Sequence, residues 1–292
     1  MKFLLISGSK ARKEVSKHLI SEAKKYFSTV LSIPLDGIRV ECVGGENKLF
    51  FKNTDLTKFD ACYARLFSED FLFGECVLDI LESSGVYLPT SSEAFQIVNH
   101  KYYTVQTLCK SKLPVPTTSL SVSPQPTTKI SRTVGYPLVV KLLSGFGGRG
   151  VMLVQEEQDL VPLLDTMQVF KEFVATQEFI DKGDDIRCYV IGDNVYPVKR
   201  IAKKGEWRAN VSRGARAILI RIPDEIKEIA LKAAKIMGMD ISSVDFIKSS
   251  KGWLILEINF SPGLMPKFFG KKFAEIIMKH IFNRTKEIKL LP

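Results

Sequence analysis

Along the first ninety residues, short apolar runs alternate with stretches whose apolar positions recur at helical spacing. The run KFLLIS predicts a buried opening strand. A helix is expected near Lys10–Tyr26, a strand at Ile38–Val43 followed by a charged hairpin-like piece, a strand over ACYARLF, and an apolar helix ending near Gly85. This alternation predicts a small open α/β sheet. A helix rich in polar positions is expected from about Ser92 to Leu113. It runs into KLPVPTTSLSVSPQPTTKISRTVGYP, whose five prolines predict extended or loop-like chain at a domain junction.

From Tyr136 onward the pattern is strand-rich, with runs PLVVKLL, GVMLV, VFKEFV, TQEFI, DIRCYVIG, NVYPVKRI and AILIRI. A helix is expected at about Asp224–Met237, then paired strands SSVDFIKSS and GWLILEINF around a Ser-Lys-Gly turn, then a last helix from about Lys271 to Asn283. The second half therefore reads as α+β with antiparallel hairpins, not as a doubly wound nucleotide fold. The expected division is an N-terminal α/β domain over residues 1–90, a central subdomain with a glycine-rich flap over 91–175, and a C-terminal subdomain with a metal site over 176–292.

Composition narrows the function classes. With 45% hydrophobic and 25% charged residues in 292, the chain has the balance of globular folds. The opening apolar run is too brief for a signal-peptide core, and no apolar span reaches membrane length, so a cytoplasmic protein with no membrane partner is expected. Cys42, Cys62, Cys76, Cys109 and Cys188 form no Cys-x-x-Cys pair, and His18, His100 and His280 are far apart, which indicates neither a disulfide framework nor a zinc site. The net charge of +10 fits either an anionic partner or a lysine-rich solvated surface. Arg200, Lys203, Lys204, Arg208, Arg213 and Arg216 fall in one short segment, and no aromatic-interleaved basic repeat of the kind that binds single strands is visible, which favours a local anion site over nucleic acid.

Two stretches carry chemistry. Gly145, Gly147, Gly148 and Gly150 join one strand run to another, with Lys141 just before them. A Walker loop or dinucleotide fingerprint needs a helix after its glycines, and none is expected here. What remains is a phosphate-covering flap, with Lys141 supplying a point charge, or a plain hairpin turn. In the last hairpin, Glu257 and Asn259 share a strand face, and the partner strand can bring Asp245 beside them. Oxygen donors without sulfur or imidazole suit a hard ion, Mg²⁺ or Mn²⁺. The alternative is a Glu paired with a buried arginine; the metal reading is preferred.

Lys101 in NHKYYT, Lys141 before GFGGRG, QEFI at 177–180, DIRCYVIGD at 185–193, VKRIAKKGEWRANVSRGA at 198–215, and Asp245 with EINFSPGL at 257–264 occur in an order that resembles the ATP-grasp superfamily, and within it the RimK-type α-L-glutamate ligases, over about residues 90–265. The resemblance implies an ATP-grasp fold carrying a small N-terminal α/β domain, with ATP between two lobes and the flap, Gly147 and Gly148 included, over its phosphates. It also implies adenine against Glu178, Phe179 and Ile180, phosphate contacts from Lys101 and Lys141, nucleotide contacts from Asp185 and from Arg208, Ala209 and Asn210, and two metal ions on Asp245, Glu257 and Asn259. The implied reaction forms an acyl phosphate and then an amide, which needs charge neutralisation and positioning rather than a protein nucleophile. Arg187, Arg200, Arg208 and Arg213 are candidates to hold the carboxylate and the pentavalent phosphorus, or else surface ion-pair partners.

The implied partners are ATP, an amino acid, L-glutamate first, and an acidic acceptor such as a ribosomal protein tail or a coenzyme; a homo-oligomer, dimer or tetramer, is expected. Ligation to a carrier protein in amino-acid biosynthesis and a non-catalytic nucleotide-binding regulator are the alternatives. The stretch MPKFFGKKFAEIIMKHI after SPGL departs from the usual relatives beside the acceptor region, which leaves the acceptor open.

Overall fold

The computed structural model describes residues 1–121, 124–143, 150–181, 184–203, 205, 215–263 and 266–290. β1 (Lys2–Ser7) leads through α1 (Lys13–Ala23) to β2 (Thr29–Pro34), a small antiparallel unit of β3 (Ile38–Val43), β4 (Glu46–Phe51) and β5 (Thr54–Asp55), then β6 (Ala61–Arg65) and α2 (Phe71–Ser83). β2, β1 and β6 form a parallel sheet with β1 in the middle. Phe3, Leu4, Leu5 and Ile6 are all fully buried, as a parallel strand covered on both faces requires.

Residues 92–110 form two helices, not one. α3 (Ser92–Asn99) is capped by Ser91, whose hydroxyl accepts from Ala94 N at 3.0 Å. His100 is extended (φ −97°, ψ 99°) and its ring Nδ1 accepts from Tyr103 N, opening α4 (Lys101–Lys110). The break puts Lys101 in the first turn of a new helix. The proline-rich stretch is likewise not all loop: it holds β7 (Thr118–Ser121) and α5 (Pro124–Val134). Pro124 and Pro126 fall in the first turn of α5, where a helix needs no amide donors.

β8 (Leu138–Leu142), β9 (Val151–Val154), α6 (Glu157–Val169) and β10 (Val174–Glu178) complete an antiparallel sheet in the order β7-β10-β8-β9. The expected strand VFKEFV is absent, because α6 occupies 157–169 and β10 begins only at Val174. Pro162 inside α6 and the solvated Val169, Phe170 and Phe173 obscured the helical period.

β11 (Asp184–Ile191), β12 (Asn194–Ile201) and β13 (Arg216–Leu219) are followed by α7 (Asp224–Ile236), the hairpin β14 (Ile241–Ser249) and β15 (Gly252–Asn259), and α8 (Pro266–Leu290), longer than expected. This antiparallel sheet runs β13-β12-β11-β14-β15. One face buries Ile186, Cys188, Val190, Val244, Phe246 and Ile258 against Ile226, Ala230 and Ala233 of α7. The other buries Tyr189, Ile191, Val198 and Ala217 in a core shared with Phe273, Ile277 and Ile281 of α8 and with Phe3, Leu5 and Tyr63 of the parallel sheet. No helix among the described residues is long and apolar enough to cross a membrane.

Ile277 is fully buried where α8 meets both sheets. Ile277→Ala should cost about 2–5 kcal/mol of stability, read as a lower denaturant midpoint, because the cavity opens where the sheets cannot close onto it.

Candidate active site

The strand register of the five-stranded sheet sets charges opposite one another. Asp185 of β11 pairs with Arg200 of β12, and Arg187 of β11 pairs with Asp245 of β14. Arg187 donates to Asp245 through both arms of its guanidinium, Nε to Oδ1 at 2.7 Å and Nη2 to Oδ2 at 2.6 Å. Arg200 donates to both oxygens of Asp185 and places Nη2 2.9 Å from Asp245 Oδ2. Burial pushes the Asp245 carboxyl upward, but Arg187 and Arg200 outweigh it and hold it at about 2. For Asp185, burial pushes upward against the pull of Arg200, and the Asp245 charge adds to the rise.

Asp245 also lies opposite Glu257 across the hairpin, and Asn259 lies opposite Ser243 on the same face. A bulge makes this possible. The register shifts between Asp245 and Phe246, so that Phe246 faces Ile255 and Leu256 is the extra residue. Without it Ile255 and Glu257, two apart, would point the same way; with it Ile255 enters the core and Glu257 the site. The three expected metal ligands are thus brought together, but they are not equivalent. Asp245, and not the glutamate for which a buried arginine partner was the alternative, has both oxygens engaged by guanidinium groups. The Glu257 side chain is 49% exposed, with Arg187 Nη2 at 3.7 Å, and its Oε1 accepts from Asn259 Nδ2 at 3.3 Å. Among the described residues there is no group of three His, Cys, Asp or Glu placed for a metal. The oxygens of Glu257 and Asn259 could still hold a hard divalent ion whose other ligands are water and phosphate.

Lysines supply the opposite charge. Lys101, from the first turn of α4, donates from Nζ to Leu142 O at 2.9 Å. Lys141 of β8 donates to Gln177 Oε1 at 2.6 Å, and Gln177 Nε2 donates in turn to Thr118 Oγ1 at 2.8 Å. Burial lowers the Lys101 pKa, with Glu257 opposing. Burial also lowers Lys141, to about 8, with Glu257 opposing and Lys101 reinforcing. Both ammonium groups therefore feel Glu257. Gln177 escaped notice as a site residue although it stands in QEFI; the usable signal was that, on paired strands, it shares a face with Lys141.

The connector between the two antiparallel sheets runs directly from β10. Glu178 is fixed there: its amide donates to Thr117 O at 3.0 Å and its Oε1 accepts from Thr117 N at 2.8 Å. Phe179 and Ile180 follow, half-buried. Gly147, Gly148, Arg208, Ala209, Asn210 and Arg213 lie outside the described residues, as do Gly145 and Lys204.

Comparison with known proteins bears on this arrangement. Residues 98–281 match the model of the RimK-like ATP-grasp domain. A protein of Legionella pneumophila (strain Corby) named probable alpha-L-glutamate ligase is 38% identical over 239 residues, covering 80% of this chain and 79% of that one. One of the same name from Nitrosococcus oceani is 32% identical over 287 residues, covering 96% and 95%. Among solved structures, the ATP-grasp ligase PsnB complexed with minimal precursor, Mg and ADP superposes with a TM-score of 0.73 at 20% identity, over 97% of each chain. D-alanine–D-alanine ligase from Bacillus anthracis gives 0.71 at 18% identity, over 99% of this chain and 98% of that one. The two structures show a shared fold, and the family match and the two relatives show descent: this chain belongs to the RimK-like ATP-grasp family and is an ATP-dependent ligase.

Proposed function

We propose that the protein forms an amide bond by joining L-glutamate to an acidic acceptor, a protein tail or a coenzyme, at the expense of ATP. One observation carries this reading: two half-buried lysines and Glu257, which Asn259 accompanies on the other sheet, feel each other's charge. A polyanion that also carries a divalent ion answers both walls at once. The name shared by the two relatives supports glutamate as the added residue.

In this reading adenine lies against the connector at Glu178, Phe179 and Ile180, and Lys101 and Lys141 exchange their present carbonyl acceptors for phosphate oxygens. Glu257 and Asn259, with Asp245 behind them, would hold Mg²⁺ or Mn²⁺, two ions in the full complex, which neutralise charge on the β- and γ-phosphates. An acceptor carboxylate oxygen attacks the γ-phosphorus and ADP leaves, giving an acyl phosphate. The glutamate nitrogen then attacks the acyl carbon, phosphate leaves, and the amine gives up a proton. Arg187 and Arg200 serve as positioning groups, because the Nε and Nη2 edge of each faces Asp245 or Asp185. Arg208 and Arg213 remain the candidates to touch the transferred phosphoryl group, Asp185 and Arg208–Asn210 to reach the nucleotide, and Gly147 and Gly148 to cover it.

Glu257→Ala should abolish Mg²⁺-dependent ADP release with an unchanged melting temperature, since its side chain is half-exposed; retained turnover would remove the metal role. Lys141→Ala should weaken ATP by about 1.5–3 kcal/mol, one charge-assisted contact, measured by calorimetry. Because Lys141 titrates at about 8 in the free protein, its charged form is lost as pH rises. ATP affinity should therefore fall between about pH 7 and about pH 9 in the wild type and much less in Lys141→Arg. Arg200→Met should instead cost about 3–5 kcal/mol of folding stability, because it leaves two buried carboxylates short of a partner.

A further inference from the structure

Arg65 ends β6 and is only 2% exposed, yet its Nε and Nη1 have no hydrogen-bond partner among the described residues. A buried guanidinium is ordinarily paired, since leaving it bare costs far more than leaving it in water. Asp70, on the loop that follows, does not neutralise it: that carboxylate is spent on the amides of Ser9 at 3.1 Å and Phe67 at 2.9 Å. Burial above all depresses the Arg65 pKa, with Arg12 adding to the effect.

Two sets of contacts fix where Arg65 stands. β6 and β14 start from one clasp, in which Tyr87 bridges Ala61 and donates from Oη to Asp240 Oδ2 at 2.5 Å. Arg65 is the fifth residue of β6 and Asp245 the fifth of β14, with Tyr63 and Tyr189 in the core shared between their sheets. Farther along, a Cβ on Gly74 would meet Leu66 at 2.8 Å and Phe95 at 3.4 Å, and Phe95 packs edge-on against Phe260 at 4.7 Å. The end of β6 and the end of β15 therefore lie close together, next to Asn259. Ser261 Oγ and Tyr63 Oη are also buried there without partners among the described residues.

We propose that Arg65, with the Ser261 and Tyr63 hydroxyls, forms a subsite for a substrate carboxylate other than the one activated by ATP. The inference rests on the ligase reading and names the part of the site that reading left open. Two lysines already serve the phosphates, and the guanidinium forks of Arg187 and Arg200 are filled by protein carboxylates. Arg65 keeps Nε and Nη1 without acceptors among the described residues, and a carboxylate is the group that a buried guanidinium binds most strongly. The carboxylate belongs either to the incoming amino acid or to the acidic end of the acceptor.

The test is calorimetry on the full chain saturated with Mg²⁺ and a non-hydrolysable ATP analogue, titrated with L-glutamate in one arm and with a synthetic peptide ending in glutamate in the other. Arg65→Gln should lose at least about ten-fold in one arm, Arg65→Lys should lose less, and affinity for the analogue should not change. The arm that loses identifies the source. The melting temperature of Arg65→Gln without ligands should equal or exceed that of the wild type, since the substitution removes a bare buried charge; a purely structural arginine would lower it. Equal affinities of wild type and Arg65→Gln in both arms overturn the subsite. So does a nucleotide-loaded wild type that binds neither probe, or a variant with lowered melting temperature that weakens for analogue and probes alike. A wild type that fails to bind the analogue overturns the ligase reading itself, and the subsite with it.

Discussion

Two guanidinium groups closing on one buried carboxylate organise this protein. Asp245 is 2% exposed in the middle of a sheet, and only the forks of Arg187 and Arg200 keep it ionised there. The arrangement stiffens three neighbouring strands, since each partner comes from a different one: β12, β11 and β14. A network of this kind adds little net stability relative to an apolar core. Its effect is geometric, because it fixes the strand that faces Glu257 and holds negative charge at a set depth behind the exposed donors. The same pairing turns one edge of each of these two guanidinium groups toward a protein carboxylate.

Facing this anionic floor, the lysines sit on less stable ground. Lys101 and Lys141 are half-buried and donate to neutral oxygens, Leu142 O and Gln177 Oε1. Burial has already pulled both pKa values down, so a polyanion gains twice on arrival, by supplying the missing counter-charge and by restoring full protonation.

Three features of the fold depart from the local pattern, each for its own physical reason. Helix α6 was hidden because Pro162 and the solvated Val169 and Phe170 blur its period; α5 because prolines that read as loop are harmless in a first turn. The break at His100 depended on a ring nitrogen capping the next helix, a contact that no periodicity registers. Strands fared better: β14 and β15 fell where alternation and the Ser-Lys-Gly turn put them, and so did Lys141 on β8.

By itself the sequence determined which chemical groups are present and in what order, and through them the family: two lysines, the DIR and EINFSPG segments and the glycine run are local patterns, readable residue by residue. Tertiary structure alone decided what each group spends its bonds on. That Asp245 is consumed by arginines while Glu257 stays open follows from strand register and one bulged residue at Leu256. That Arg65 is buried with Nε and Nη1 lacking partners among the described residues follows from two sheets meeting at their ends. Register and docking come from packing between segments far apart in the chain, and such distances leave no mark in a local pattern.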